Sequence, residues 1–294
     1  MKKILILSIA IIFSGMFFSC SDSVQPENSK FNNFMGVIQK YTGDYYTNDE
    51  LKEIYNNGNL TGLIIFYKRY RNDLTLTGGS SGNPEYTPYD GYTTDAEGIF
   101  FTPDTYEDMK LGAFELNAMA MRQYQDGYYT PYLDDIDIYM GGELNKWVID
   151  PYNGFPGDSG EVAFANEINI TNLSRSDTIN IADTSGENGF DLYWTGGSSF
   201  GKIQIKIEKN NMVYDTLDAD TGIGMSLWID NNTNNYHLFN RTLYTLIGVE
   251  GLYDITITYY EPHYATLSNG KQLLLIGESA HNITVYIKRN PVSS

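Results

Sequence analysis

The sequence predicts a mostly β protein, in which a β-rich domain with one short helix at residues 31–160 precedes an antiparallel β-sandwich at residues 161–294. After residue 164, apolar and polar residues alternate at every second position in several short runs, the pattern of strands with one buried face. The 25 tyrosines also favour strands. A length of 294 residues exceeds what one core usually serves, so two domains are expected.

Residues 1–19 have the features of a cleaved signal peptide. Lys2 and Lys3 precede an apolar run at residues 4–18. As a helix, this run would cover about 22 Å, which is short of the roughly 30 Å hydrocarbon core of a bilayer. An export signal that is removed therefore explains the run better than a spanning helix does.

The leader ends at Ser19 and Cys20, and residues 21–30 are polar. This junction resembles the lipobox of bacterial lipoproteins, in which the cysteine becomes the acylated first residue of the mature chain. Phe17 and Phe18 stand where that family usually has an aliphatic and a small residue. The resemblance implies that acylated Cys20 attaches the protein to a membrane.

Ser21 and Asp22 are similar to part of the surface-export signal of Bacteroidota-type lipoproteins. Cys20 is the single cysteine of the chain, so it cannot form an intramolecular disulfide. An ordinary thiol at the edge of the signal peptide is the alternative to lipidation. We therefore expect a lipid-anchored protein of the bacterial cell envelope, at the outer membrane, with residues 20–30 as a flexible tether.

The composition limits the possible partners. The chain has 37 acidic and 19 basic residues and a net charge of −18, and such a surface repels nucleic acid. The three histidines are far apart and have no neighbouring cysteine, so they predict no metal site. We expect neither a cofactor nor a nucleic-acid partner.

In the first domain, Thr47 and Glu50 form a capping-box pattern that predicts a helix over residues 48–56. Residues 78–98 are rich in Gly, Ser, Pro, Tyr and Asp, and predict a long loop. Apolar runs predict strands at residues 60–67, 111–121, 136–140 and 147–149.

In the second domain, three alternating runs predict strands with isoleucines on their buried face. Asn269-Gly270 predicts a hairpin turn, because both residues tolerate a positive φ. The alternating runs are at residues 203–207, 253–259 and 283–287, and further strands are predicted at residues 166–171, 177–182, 190–194, 213–217 and 242–249.

Residues 243–257, with Leu243, Leu246 and the run from Gly251 to Ile257, resemble the tyrosine-corner strand of immunoglobulin-like and fibronectin-III-like domains. The resemblance implies an immunoglobulin-like sandwich with Trp194 as its large core residue. It carries no implication for function, because this fold serves many functions.

Tyrosines are concentrated in two stretches that also contain Gly, Asn, Asp and Pro. Tyrosine offers a large rigid contact area and a hydroxyl, and binding loops are rich in it. We predict a recognition surface for a glycan or a protein; the alternative is that these rings cover an undersized core. The candidate residues are Tyr86, Tyr89, Tyr92, Tyr128, Tyr129 and Tyr132.

Catalytic patterns are weak. Gly157-Asp158-Ser159-Gly160 looks like a protease nucleophile loop, but no histidine precedes it, so the serine has no base in the expected order. The sequence therefore predicts a non-catalytic binding or structural module. The alternative is an extracytoplasmic hydrolase that uses two carboxylates from distant strands.

Overall fold

A computed structural model describes most of the chain from residue 26 onward. The described ranges are 26–80, 83–103, 105–125, 127–131, 136–152, 155–175, 177–182, 189–210, 225–231 and 233–290. The predicted signal peptide, Cys20, Tyr132 and the predicted strand at residues 213–217 lie outside these ranges.

The protein is mostly β, which confirms the predicted fold class. The helices of the described residues are α1 (Pro26–Thr42), α2 (Asn48–Asn57) and α3 (Asn240–Leu246). The strands are β1 (Leu60–Ser80), β2 (Asn83–Phe100), β3 (Phe114–Leu116), β4 (Met119–Gln125), β5 (Tyr128–Pro131), β6 (Leu144–Ile149), β7 (Asp158–Ala163), β8 (Asn169–Ile170), β9 (Thr178–Ala182), β10 (Gly189–Thr195), β11 (Lys202–Lys209), β12 (Met225–Asp230), β13 (Asn235–Phe239), β14 (Gly251–Thr266) and β15 (Gln272–Asn290).

The first compact unit ends at Asn56 and contains α1 and nearly all of α2. Helix α2 begins where the capping box predicts: the N–H of Thr47 donates to Glu50 Oε2 at 2.7 Å, and the N–H of Glu50 donates to Thr47 Oγ1 at 3.3 Å. Helix α1 corrects the predicted tether, because the chain is already helical at Pro26. Proline is well tolerated in a first helical turn, where its missing N–H has no partner to lose.

The second compact unit, Asn57–Ser294, contains a large mixed sheet, which we call the main sheet. Its strand order is β12-β11-β14-β15-β1-β2-β5-β4-β3-β6-β7, and β9 also pairs with β15. Strand β15 is antiparallel to β14 but parallel to β1 and to β9. The main sheet thus joins strands from both sides of residue 160, so the boundary predicted there does not separate two sheets.

A second sheet, β13-β10-β8, completes the predicted sandwich. Leu192 and Trp194 of β10 share one core with Ile205 of β11 and Ile257 of β14, which belong to the main sheet. Trp194 is 2% exposed, as expected for the large core residue. Two sheets enclosing a common core form the β-sandwich.

The tyrosine corner expected from the resemblance is present. The Tyr253 hydroxyl donates to the backbone carbonyl of Val249 at 2.6 Å. This bond from an early strand position to the backbone a few residues upstream is the defining contact of the tyrosine corner.

Another core lies on the same face of the main sheet, toward its other end. Phe66, Phe100 and Trp147 belong to this core, which we call the first core because its residues begin earlier in the chain. The core around Trp194 is the second core. Leu275 and Ile283 occupy the same face of β15, yet Leu275 packs in the first core and Ile283 in the second.

The chain crosses the main sheet between the two cores at residues 164–170. Side chains of the main sheet accept hydrogen bonds from the backbone of this segment. These bonds satisfy N–H groups that would otherwise be buried without a partner. The N–H groups of Ala165, Ile168 and Ile170 donate to Glu261 Oε2 at 2.8 Å, Ser279 Oγ at 2.9 Å and His281 Nδ1 at 3.0 Å, respectively.

The predicted loop at residues 78–98 is wrong. These residues belong largely to β2, which pairs with β1 along its whole length in a long hairpin. Gly, Pro and Asp have low strand preference, but the pairing with β1 supplies ladder hydrogen bonds that intrinsic preference does not reveal.

The predicted strand at residues 242–249 is instead mainly helix α3, in which Leu243 is fully buried. The Arg289 guanidinium donates to the carbonyl oxygens of Tyr244, at 3.1 Å, and Gly248. These bonds satisfy carbonyls at the end of the helix. A short apolar run fits a helix as well as a strand, which explains the error.

The predicted strand at residues 136–140 has no ladder partner, so the prediction is wrong there too. Ile136 and Ile138 are nevertheless buried in the first core. The alternation at residues 136–140 therefore predicts the buried residues correctly but the type of element incorrectly.

Candidate functional site

The main sheet carries polar residues on the face opposite its two cores. Alternate residues of β14, from Asp254 to Tyr260, point to this face, whereas Ile255 and Ile257 between them are fully buried. We call this the polar face. It consists of Gln204, Lys206 and Glu208 on β11; Asp254, Thr256, Thr258 and Tyr260 on β14; Glu278, Ala280, Asn282 and Thr284 on β15; Tyr67, Arg69, Arg71 and Asp73 on β1; and Tyr89, Thr93 and Glu97 on β2.

Differences in side-chain length create a cavity in the polar face. The central strand β14 contributes the short side chains of Thr256 and Thr258, while Lys206 and Arg69 rise from strands on either side. The resulting cavity has a volume of about 350 Å³, which is within the range of small-molecule sites. Apart from Leu74, its lining residues are polar or charged.

Asp73 is buried at one end of the cavity, and its carboxylate is engaged within the protein. Arg71 donates through Nε at 2.7 Å and through Nη2 at 3.1 Å. Asn282 Nδ2 donates at 2.9 Å, and Thr75 Oγ1 at 3.3 Å. Bidentate charge-assisted pairs are strong, so Asp73 fixes Arg71 rather than facing a ligand.

Asp254 lies near Asp73, since only β15 separates their strands, a spacing of about 10 Å. The Thr284 hydroxyl and Asn210 Nδ2 both donate to Asp254 Oδ1, the latter at 3.1 Å. Burial raises the pKa of Asp254 to about 6, and the charge of Asp73 adds to the rise. The carboxyl therefore changes charge in a mildly acidic range.

Glu278 lies at the other end of the cavity and is 7% exposed. Burial raises its pKa, while Arg69 opposes the rise from an Nη2–Oε1 distance of 3.4 Å. Lys206 acts on the Glu278 carboxyl in the same direction as Arg69. Arg69 and Lys206, which rise from opposite walls, are thus both close enough to lower the pKa of Glu278.

A second cavity of about 340 Å³ adjoins the first and shares Arg69, Thr93 and Glu278 with it. The Tyr67 hydroxyl donates to Glu97 Oε2 at 3.1 Å, and the Tyr128 hydroxyl donates to Glu97 Oε1 at 2.8 Å. Burial raises the pKa of Tyr67, which keeps this hydroxyl protonated. The second cavity extends the polar, hydrogen-bonding surface beyond the first.

Two of the predicted tyrosines lie at the polar face. Tyr89 on β2 places its ring 4.9 Å from the Arg71 guanidinium, a cation–π contact. Tyr128 on β5 reaches the face through its bond to Glu97. Both residues lie on strands, so the interpretation of the tyrosines as loop residues is wrong.

The structure does not gather the other predicted tyrosines with these two. Tyr92 packs against Tyr70 on the opposite face, at a ring separation of 5.0 Å, and Tyr86 shares the strand alternation of Tyr92. Tyr129 is 2% exposed in the first core, where its hydroxyl accepts the N–H of Leu111 at 2.6 Å. Tyr129 is therefore a packing residue.

The histidines have local partners. His237 Nδ1 lies 2.7 Å from Asp191, and His263 Nε2 lies 3.0 Å from Glu261. Burial lowers the pKa of His281 to about 4, so its ring is neutral at pH 7. Across the described ranges, no group of three or more His, Cys, Asp or Glu side chains is placed to hold a metal ion.

Arg69, Lys206 and Glu278 are site residues that the sequence does not single out. They are distant in the chain and meet only because β15 pairs with β1 and β14, and β14 with β11. One signal was available: Glu278 is a lone charge within residues 273–280, a run that otherwise reads as a buried strand.

No protein-family model matches the sequence, and a search of curated proteins finds no match either. Among the residues that the structure describes, no helix is long and apolar enough to cross a membrane. Conclusions about function therefore depend on the residues of the chain itself.

Proposed function

We propose that the chain is a lipid-anchored protein of the bacterial cell envelope, at the outer membrane, and that it acts as a non-catalytic binding module. The proposed anchor is acylated Cys20, supported by the apolar leader and the junction at Ser19. The proposed ligand surface is the polar face of the main sheet, and the proposed ligand is a saccharide.

The cavity in the polar face is the observation that carries this proposal. Its volume of about 350 Å³ suits one or a few sugar rings better than a protein surface, which usually docks on a flatter patch. The lining offers hydroxyl, amide and charged groups to a ligand with many hydroxyls. The Trp228 and Tyr260 rings, 5.2 Å apart, provide aromatic surface at the edge of the polar face.

A substitution that fills the cavity tests the proposal. Protein produced from the full sequence and purified in detergent is applied to an array of saccharides. We expect specific binding that Thr256→Trp abolishes, since the indole would occupy the cavity floor. Thr178→Trp is the matched control, because Thr178 is an exposed strand residue on β9 and should leave binding intact. Equal binding by both variants would remove the polar face as the ligand site.

A hydrolase that uses paired carboxylates is the second candidate. The raised pKa of Asp254 and the presence of a second buried carboxyl, Asp73, on the next strand but one favour it. The bonds of Asp73 to Arg71 and Asn282 count against it, because they engage one member of the pair. Release of reducing sugar from array-positive saccharides, lost in Asp254→Asn, would establish the enzyme; stable saccharides would favour the binding module.

A further inference from the structure

A row of residues crosses the polar face at right angles to the strands, and we call it the transverse row. Each member is paired directly with the next member on the neighbouring strand, from β12 to β2. The row consists of Trp228, Gln204, Thr258, Ala280, Arg69 and Thr93. Because neighbouring strands lie about 4.8 Å apart, the row is about 24 Å long.

Two side chains of the transverse row are almost completely buried, yet each keeps a polar group without a protein partner. Thr258 is 5% exposed, and its hydroxyl forms no hydrogen bond with any described residue. Gln204 is 9% exposed; its Nε2 donates to Ser226 Oγ at 3.1 Å, whereas its Oε1 accepts no bond within the described ranges. Both residues line the first cavity. Buried polar groups in folded proteins are nearly always paired, so these two indicate a partner that enters the cavity.

The β2 end of the transverse row also offers polar groups to a ligand. The Arg69 side chain is 48% exposed, and its single hydrogen bond in the described part of the chain is the 3.4 Å contact with Glu278. The Thr93 side chain is half-buried, and its hydroxyl has no hydrogen-bond partner among the residues that the structure describes. Arg69 and Thr93 line both cavities, so they connect the first cavity with the second.

Ala280 keeps the middle of the transverse row open. It lies between Thr258 and Arg69, and its methyl group is the smallest side chain of the row. A longer side chain at this position would separate the polar groups of β11 and β14 from those of β1 and β2. The first cavity accordingly extends from Gln204 to Thr93 without interruption.

From this arrangement we infer that the polar face binds an extended saccharide of several units, which lies along the transverse row and across the strands. The inference rests on the proposed function and adds the length and the orientation of the ligand. Sugar hydroxyls both donate and accept, so they suit the Gln204 carbonyl, the threonine hydroxyls and the Arg69 guanidinium. Gln204 and Thr93 lie on strands about 19 Å apart, so a single sugar ring cannot contact both.

Titration calorimetry with oligosaccharides of increasing length tests the inference. The probes are cello-, malto-, xylo- and manno-oligosaccharides, each from the monomer to the hexamer, with detergent-purified protein from the full sequence. In at least one series we expect the hexamer to bind about tenfold or more tightly than the dimer, because added units reach further groups of the row.

Variants at the two ends of the row locate the ligand. Thr93→Val removes the hydroxyl at the β2 end and keeps the shape of the side chain, and Trp228→Ala removes the ring at the β12 end. Each should weaken hexamer binding, by about threefold to tenfold for Thr93→Val and on the order of tenfold for Trp228→Ala. A dimer is too short to reach both ends, so at least one of the two variants should bind it like the wild type.

Two further variants separate binding from folding. Thr258→Val deletes the unpaired hydroxyl in the middle of the row, and it should weaken hexamer binding about threefold to tenfold without lowering the melting temperature. Thr178→Val makes the same change at an exposed position of β9 and should match the wild type in both measurements.

The outcomes separate the inference from the proposed function. If monomer or dimer binds as tightly as hexamer in every series that binds, or if Thr93→Val and Trp228→Ala both bind the hexamer like the wild type, the inference is overturned while the polar face can still be a saccharide site. If no oligosaccharide binds, the inference is overturned, and the array comparison of Thr256→Trp with Thr178→Trp decides the proposed function separately.

Discussion

Asp254 is a residue at which burial and hydrogen bonding shift the pKa in opposite directions. It lies in the polar face with Thr284 and Asn210 as donors, yet burial and the neighbouring Asp73 raise its pKa to about 6. The folded protein therefore binds this proton more tightly than the unfolded chain, whose aspartates titrate near pH 4. The contribution of Asp254 to stability is fully present below about pH 4 and is lost as the pH rises through about 6.

Asp254→Asn should remove this pH dependence. We expect the variant to gain about 2 kcal/mol in free energy of unfolding relative to the wild type between pH 4 and pH 7. Urea unfolding at several pH values measures this difference. Asp230→Asn changes an exposed position of β12, and its free energy of unfolding should depend on pH in the same way as that of the wild type. If Asp254→Asn also kept the pH dependence of the wild type, the raised pKa of Asp254 would be contradicted.

Tyr253→Phe tests the tyrosine corner. The change deletes the hydroxyl that donates to the Val249 carbonyl and keeps the buried ring. We expect a loss of about 1 kcal/mol in free energy of unfolding, the usual worth of one such bond. Tyr286→Phe is the control, because Tyr286 is an exposed residue, and its replacement should change stability by less than about 0.5 kcal/mol.

At the scale of elements, the crossing segment at residues 164–170 explains several buried polar side chains. Ser279 and His281 would look like site residues if burial alone were considered. Each accepts a backbone N–H of the segment, so their role is to hold the chain between the two cores.

Ser279→Ala should leave the N–H of Ile168 unpaired in a buried position. We expect a cost of about 1–3 kcal/mol in free energy of unfolding and unchanged saccharide binding, since Ser279 faces away from the polar face. Thermal or urea unfolding provides the measurement. Ser226→Ala removes an exposed hydroxyl of β12 that accepts from Gln204 at 3.1 Å, and it should change stability by less than about 0.5 kcal/mol. A loss of binding in Ser279→Ala would contradict its structural role.

Elements with strong local signals were predictable. The isoleucine alternation on β11, the Asn269-Gly270 turn and the capping box of α2 each fix a local geometry that the structure confirms. Strand β2 was not predictable, because its composition favours a loop and its stability comes from pairing with β1. The parallel pairing of β1 with β15 depends on residues two hundred positions apart.

The candidate site follows the same division. Tyr89 and Tyr128 were identified from residue type, and they lie at the polar face. Arg69 and Lys206 carry no local signal, since a charged residue on a strand usually faces solvent. Their convergence depends on the register of β11, β14, β15 and β1, which no single segment encodes.

At the scale of the whole molecule, the net charge of the chain is compatible with the proposed lipid anchor. An acidic body is repelled by an anionic membrane surface, so attachment requires a lipid rather than charge.

Cys20→Ala should release the protein from the membrane fraction, because the acyl chains are the proposed contact with the bilayer. Immunoblotting of pellet and supernatant after cell fractionation measures the distribution. Ser21→Ala, a change of the adjacent residue that keeps the thiol, should stay in the pellet. Retention of Cys20→Ala in the pellet would contradict lipid anchoring.

Hydrogen–deuterium exchange tests the central claim most directly, because it locates the ligand on the molecule. It is measured in solution with and without a saccharide that the array identifies as a ligand. The account predicts slower exchange in peptides that cover β11, β14 and the middle of β15, with no change in β8, β10 and β13. Protection confined to the three-stranded sheet, or to the first core, would contradict the polar face as the binding surface.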